Sequence, residues 1–493
     1  VQAKGDEKVL NFGCQMYTDG CVNSANDENG GWNAMRYGIA EALFKFDDNM
    51  EVIPWLAESY EVNDDHTEWT IKLKDGIKFS DGCDLTPTKV KEYFDHMKEV
   101  GPSGSAKPEK YLEFEAEVTV DDDANTINIK TSKPYANLVG QLCHPTMGIT
   151  DVEHIENYDN GIIGTGPYKI ESWDEGQAIT LVKNEDYFKG EPSIDKVVFK
   201  IVPDDNAKAL QLKSGELDLA LLTPKDAAAF ADDEAYTCYD MKTSDYRGIM
   251  FNFGNEYWQK NRDLIPAVCY GLDRQAIIDA VLLGQGMPAY GPLQRNIYNY
   301  EDVEHYDYNP EKAKEILEAA GCEMGDDGFY YRDGEKVGFV ISVSAGDQVR
   351  IDMAQIAAQE LKEIGMDVSV EIPAQTDWAG QMAFLIGWGS PFDADDHTYK
   401  VFGTDKGANY SGYSNADVDK YLTEARQSAD PEVRAEAYAN FQKALAEDPA
   451  YAMICYIDAN YVADSNIKGI DPDTIMGHHG VGIFWNVADW TIE

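Results

Sequence analysis

Three carboxylates within four residues, Asp393, Asp395 and Asp396, are a candidate set of cation ligands, and His478-His479 is the one adjacent pair of imidazoles. A calcium loop needs a Gly at its sharp turn and a bidentate Glu at its end, and the Asp393 run has neither at that spacing. Carboxylates at a helix start accept free N–H groups and oppose the dipole, so Asp393 is expected to cap a turn or helix over residues 398–402. Neighbouring residues of a strand point to opposite faces, so one metal cannot take both His478 and His479, and at most one faces a cleft. Arg247 and Arg36 could each give an anionic ligand a buried positive partner; a core or surface salt bridge is the alternative for both. Neither a metal site nor a cofactor is expected. HExxH, GxSxG, a GKS or GKT phosphate loop and cysteine zinc spacings are all missing. Gly164-Thr165-Gly166-Pro167 lacks the third Gly of a dinucleotide fingerprint, and carboxylate pairs are too abundant for any one to be nominated for hydrolysis.

The charge narrows the function classes. With 89 Asp and Glu against 41 Lys and Arg, the 493-residue chain carries a formal charge of -48. Such a body repels phosphate backbones and anionic lipid head groups, so a nucleic-acid partner is not expected. The acidity suits solubility in a salty or crowded exterior. Hydrophobic residues at 43% and aromatics at 11% can build folded cores, and the length allows roughly two to four domains. No stretch reaches the ~18 consecutive apolar residues of a membrane span. The opening Val1-Gln2-Ala3-Lys4 has neither an initiator Met nor an apolar signal core and suggests a mature or trimmed chain. Among eight Cys, Cys14 and Cys21 could close a small loop in an oxidising compartment. The other six are expected to be buried apolar thiols.

The elements that must position these groups alternate between strand and helix, which predicts an α/β architecture. Strands are expected over residues 8–14, 68–74, 126–131, 178–183, 196–202 and 367–372. Helices are expected over 33–45, from Thr86-Pro87 through 97, and over 205–215 with Ala207, Leu210, Gln211 and Ser214 on one stripe. Further helices are expected over 310–320 with Asn309 as cap, 348–364, and 431–447 with Asp430 as cap. Asp121-Asp122-Asp123 suggests a solvated turn, and residues 101–107 a small mobile loop.

Several segments, taken in order, resemble the extracellular solute-binding proteins of ABC importers, in the large peptide, nickel and opine class. They are Trp55-Leu56-Ala57-Glu58-Ser59-Tyr60 running on to Trp69-Thr70-Ile71 and Asp75-Gly76-Ile77-Lys78-Phe79-Ser80-Asp81-Gly82, then Gly164-Thr165-Gly166-Pro167-Tyr168. Leu212-Lys213-Ser214-Gly215-Glu216-Leu217-Asp218, Tyr270-Gly271-Leu272-Asp273-Arg274, Tyr308-Asn309-Pro310-Glu311-Lys312 and Gly412-Tyr413-Ser414-Asn415 follow in family order. The resemblance implies a two-lobed periplasmic-binding-protein clamshell of type II, with mixed sheets flanked by helices and an extra subdomain. Lobe I is expected over 1–245, with the inserted subdomain at about 48–165, lobe II over 246–460, and a return to lobe I over 461–493. The connecting strands fall near residues 245–252 and 457–464. Hinge closure around a solute is the corresponding mechanism.

Within the family, Gly387-Trp388-Gly389-Ser390-Pro391-Phe392-Asp393 resembles the cleft loop of the nickel-importer branch, Trp-Gly-Ala-Pro-Tyr-Asp. That implies Trp388 and Phe392 as walls of the ligand pocket. The peptide-binding branch clamps the ligand amine with an Asp three residues after the Trp, and here Pro391 stands there. The nickel branch also places an Arg before a Pro, where this chain has His144-Pro145; a His can hydrogen-bond or ligate a metal but loses the bidentate fork of a guanidinium. Trp32 and Asn33 fall where that branch has another pocket residue. The function implied is capture of a short peptide, an opine-like amino-acid derivative or a nickel-type chelate for delivery to a membrane permease. The chain is expected as a monomer, lipid-anchored outside the membrane or in the periplasm. An extracellular hydrolase of peptides or glycans using cleft carboxylates is the alternative.

Overall fold

The computed structural model describes residues 6–14, 34–35, 37–47, 51–100, 116–154, 161–390, 393–428, 430–477 and 482–493. Among them no helix is long and apolar enough to cross a membrane. Two long strands, Tyr236–Phe251 and Tyr451–Asp464, pair antiparallel along most of their length and run through the middle of an 11-stranded sheet. On one side of this pair lie Leu219–Leu222, Val9–Cys14, Lys196–Ile201, Ala178–Lys183 and Tyr168–Asp174. On the other lie Ala383–Trp388, Gly338–Ser342 and Asp367–Glu371, the last three mutually parallel.

The long pair is also where the molecule divides. Its register breaks between Lys242 and Tyr246. Met241 and Ala459, before the break, belong to one apolar core; Tyr246 and Tyr456, beyond it, belong to another. Two lobes therefore share one sheet, joined by two strands whose pairing lapses at the junction. A backbone with a local lapse in its ladder bends there at least cost. The segments expected as connecting strands, near 245–252 and 457–464, fall almost wholly within these two longer strands.

A third core forms under a smaller sheet of Ala57–Val62, Glu68–Leu73, Thr126–Lys130 and Glu117–Asp121, covered by the helix Pro87–Val100. Trp69, Ile71 and Leu73 alternate inward as the period of two requires. Thr86 accepts from the Lys89 N–H and so caps the helix, with Pro87 in its first turn. Gly164-Thr165-Gly166 ties this unit to lobe I, where Gly166 N donates to Ile39 O at 3.0 Å and Ser80 N to Gly164 O at 2.9 Å. A Cβ on Gly164 or Gly166 would collide with the backbone of Ile39 or Gly38, which explains why glycine stands at both places.

Thr165 and Tyr187 donate to the buried Glu41 at 2.9 and 2.6 Å. Burial pushes the Glu41 carboxyl up to about 7, against the lowering by those two hydroxyls. The folded state thus holds this proton more tightly than the unfolded chain, so stability is fully present below about pH 4.5 and falls as pH rises to about 7. The loss is about 3 kcal/mol. Glu41→Gln is expected to abolish this slope, read as the difference in denaturant midpoint between about pH 5 and about pH 8; a slope equal to that of the natural chain would contradict it.

Four expectations need correction. No continuous helix spans residues 33–45: Ala34 and Met35 are helical, Gly38 turns the chain at φ 73°, and Phe44–Phe46 is a strand. In the helix Asp205–Ser214 the inward residues are Lys208 and Leu212, while Leu210 is 70% exposed; the stripe was placed on the wrong face. Cys238 is exposed and Cys83 half-buried, so only Cys143, Cys269, Cys322 and Cys455 are the buried thiols expected. The helix after the acidic run is Asp396–Phe402, and Asp395, at its N-cap position, makes no side-chain cap bond. Asp393 accepts the Asp395 N–H at 3.3 Å, but all three carboxylates are occupied mainly elsewhere. The strands and the helices capped by Asn309 and Asp430 lie where expected, and Asp122 and Asp123 lie in an exposed turn that follows the strand end at Asp121.

Candidate functional site between the lobes

The parallel strands of lobe II end at the lobe junction, and Trp388 is the last residue of Ala383–Trp388, whose other residues are all buried. Its register partner on the long strand is Tyr246, at the hinge. The half-buried indole donates from Nε1 to Tyr451 Oη at 3.2 Å, stacks 5.9 Å from Tyr410 and meets the edge of His397 at 5.2 Å. Tyr410 stacks in turn on Trp378 at 4.5 Å, and both remain about two-fifths exposed, at 41% and 38%. An aromatic ladder thus runs from the hinge to the surface of lobe II.

The chain turns sharply after Trp388. Gly389 N donates to His397 Nδ1 at 2.9 Å, so this nitrogen is unprotonated and the ring proton sits on Nε2, 3.8 Å from Asp396 Oδ2. From the third core, His144 approaches the same carboxylate. Its Nδ1 accepts from Thr146 N at 3.2 Å, and its Nε2 stands 3.5 Å from Asp396 Oδ1. Lys400 adds a cation at 3.3 Å. Burial alone would raise the Asp396 carboxyl; the Lys400 cation, with the His397 and His144 rings beside it, outweighs burial and holds Asp396 well below the usual carboxylate range.

Two further contacts bring the lobes together beside this one. Gln141 Nε2 donates to Asp395 Oδ2 at 2.7 Å, and Arg426 binds the same carboxylate in a fork at 2.9 and 2.6 Å. The guanidinium lies 3.6 Å over the Tyr399 ring and 5.9 Å from the Tyr135 ring across the junction. Asp393 faces Arg434 at 3.5 Å, and burial pushes its carboxyl upward against the pull of Arg434. The acidic run is therefore the lobe II side of an interlobe contact, and the structure shows the lobes closed on each other.

Arg247 stands on the opposite face of the same strand pair, over Gly387, its register partner. Any Cβ on Gly387 would collide with the guanidinia of both Arg247 and Arg350. Arg247 pairs with Asp245 and lines an interlobe cavity of about 310 Å³ together with Leu222 and Thr223 of lobe I, Thr243 and Asp458 of the hinge and Asp347 of lobe II. Its buried Nε has no hydrogen-bond partner. Burial works to lower the Arg247 pKa, but Asp245 and Asp347 raise it, so the guanidinium stays charged.

Of the residues singled out from sequence, the structure brings Trp388 and His144 into one cluster and places Arg247 behind it. Trp32, Asn33, Arg36, Phe392, His478, His479, Cys21 (and with it the Cys14–Cys21 pairing) and the 101–107 loop lie outside the described residues. Tyr410, His397, Gln141 and Arg426 were missed. Each is far in sequence from the carboxylate or ring it serves, except His397, whose place directly after Asp396 was the available signal.

The family model for bacterial extracellular solute-binding proteins, family 5 (Middle), matches residues 51–410. The chain belongs to this family. Protein XP55 of Streptomyces lividans is 31% identical over 448 residues, covering 88% of this chain and 81% of that one. The oligopeptide-binding protein AppA of Bacillus subtilis is 30% identical over 477 residues, covering 91% of this chain and 85% of that one. Among solved structures, NikZ of Campylobacter jejuni in complex with Ni(L-His) superposes with a TM-score of 0.89 at 28% identity, over 99% of this chain and 100% of that one. The shared sheet, hinge and subdomain are therefore those of a two-lobed family 5 binding protein.

Proposed function

We propose that this chain is the solute-capturing component of an ABC importer: it encloses an amino-acid-sized solute between its lobes and presents it unchanged to a membrane permease, acting as a monomer and not as an enzyme. The observation that carries this reading is the closed junction, where Trp388, His397 and Asp396 of lobe II meet His144 of lobe I. A junction built of ring faces and paired charges opens and closes around a ligand without a large apolar face to separate. The proposed ligand contacts are Trp388 and His144, together with Phe392, Trp32 and Asn33. Lobe I over 1–245 and 461–493, with its subdomain at about 48–165, and lobe II over 246–460 are the corresponding bodies. A lipid anchor upstream, holding the protein at the outer face of the membrane, belongs to the same reading.

Among solutes we place a metal–amino-acid chelate of the nickel–histidine type first. NikZ, the 28%-identical neighbour, holds such a chelate, and Pro391 stands where the peptide branch has its amine-binding Asp. A short peptide is the second reading, favoured by the 30% identity to AppA and by the cavity of about 310 Å³ at Arg247, which is at the small end of ligand sites. The two readings separate at Arg247, which lines that cavity, whereas Trp388 and His144 do not. Arg247→Lys keeps the charge beside Asp245 and withdraws the fork; it is expected to leave chelate affinity unchanged and to weaken peptide affinity.

A thermal-shift screen with nickel, histidine, nickel plus histidine, and short peptides tests the function. A ligand at about 100 times its Kd adds about 2.7 kcal/mol of stability, enough for a clear upward shift. A shift that needs nickel and histidine together supports the first reading. A shift with peptides alone replaces it by the second, and no shift with any of them contradicts both.

A further inference from the structure

The turn Asp81-Gly82-Cys83 before the helix Pro87–Val100 meets Asp151 and His154 on the subdomain, apart from the cleft residues. One ligand atom of each of Asp81, Cys83, Asp151 and His154 lies within 4.8 Å of all the others. His154 Nδ1 is 2.8 Å from Asp151 Oδ2, 3.7 Å from Asp81 Oδ2 and 3.8 Å from Cys83 Sγ. A tetrahedral zinc ion with bonds of about 2.0–2.3 Å holds its ligand atoms about 3.3–3.8 Å apart, so the set closes on an ion by shifts of a few tenths of an ångström to about one. We propose that these four side chains bind one zinc-type divalent cation.

The donor set favours such an ion. Thiolate, imidazole and carboxylate together suit zinc(II) or cobalt(II), whereas calcium and magnesium take oxygen alone. The surroundings are also those of a ligand set. Asp151 is fully buried, and its other oxygen, Oδ1, accepts from Lys89 Nζ at 3.1 Å, which orients the carboxylate as outer partners of metal ligands do. Lys89 also pairs with Glu153, which keeps its charge beside the site without occupying Asp151 Oδ2. His154 is about half exposed and Cys83 half-buried, so the ion has a path from solvent. Two carboxylates, Asp81 and Asp151, face one another here, and a cation relieves that crowding. Binding expels the Cys83 thiol proton and the proton shared by His154 and Asp151 to solvent.

The test is equilibrium dialysis of the whole chain against zinc, and separately against cobalt, without histidine so that no chelate forms for the cleft. The expected result is one bound equivalent more in the natural chain than in Cys83→Ser or His154→Ala. The cobalt-loaded natural chain should show a thiolate charge-transfer band that Cys83→Ser lacks, and zinc should slow alkylation of Cys83 as mapped by mass spectrometry. Melting curves confirm that both variants are folded, and the alkylation readout needs no variant. Equal stoichiometry in all three proteins, a cobalt spectrum without the thiolate band, or alkylation of Cys83 indifferent to zinc would overturn the proposal.

Discussion

Arg426→Met is expected to lower the unfolding free energy by about 3–5 kcal/mol. The side chains of Arg426 and Asp395 are 6% and 1% exposed, and their fork closes at 2.9 and 2.6 Å. Methionine keeps the length and apolar stem but leaves Asp395 buried, with Gln141 as its remaining side-chain donor in this contact. An uncompensated buried carboxylate is far costlier than the absence of the pair, so adding Asp395→Asn to Arg426→Met should recover part of the loss. The guanidinium also lies between Tyr399 of lobe II and Tyr135 of the subdomain, so the variant should hold its closed form less well in addition to unfolding earlier. Chemical denaturation of the two variants and the natural chain measures the effect. A loss below about 1 kcal/mol, the range of an exposed pair, would show that this contact does not hold the lobes.

Trp388→Ala should weaken solute binding by more than ~1 kcal/mol, roughly fivefold in Kd, while leaving the fold intact. The ring is half-buried at a strand end, outside the fully buried part of the lobe II core. Removing it takes away one wall of the junction and unstacks Tyr410 and His397. Tyr410 already stacks on Trp378, so the rest of the ladder survives and thermal stability should change less than affinity. Titration calorimetry reads the affinity directly. Unchanged affinity would move the ligand away from Trp388, most directly to the Arg247 cavity.

The fold was largely legible because its signals are local. Alternation places Trp69, Ile71 and Leu73 inward, and side-chain caps at Asn309 and Asp430 mark helix starts that any short window reveals. The failures have equally physical causes. The 33–45 segment has helical apolar spacing, but the chain turns at Gly38 and Phe44–Phe46 pairs with Val52–Pro54, a partner no local pattern announces. Leu210 lies outward because Lys208 and Leu212 take the buried positions. At the site, the residue types of Trp388 and His144 were visible, but their meeting through Asp396 and His397 depends on lobe closure. The acidic run looked like helix capping because its partners Arg426, Arg434 and His144 are distant in the chain, and of the four partners only Lys400, one turn after Asp396, is local.

The central claim is capture without conversion. Equilibrium dialysis of the purified chain against nickel–histidine and against short peptides, followed by mass spectrometry of the released solute, tests it most directly. The account predicts one equivalent of solute retained per chain, weakened in Trp388→Ala and recovered chemically unchanged. Cleavage products that vanish when the junction carboxylates are neutralised would instead make the cleft a hydrolase site and contradict the account.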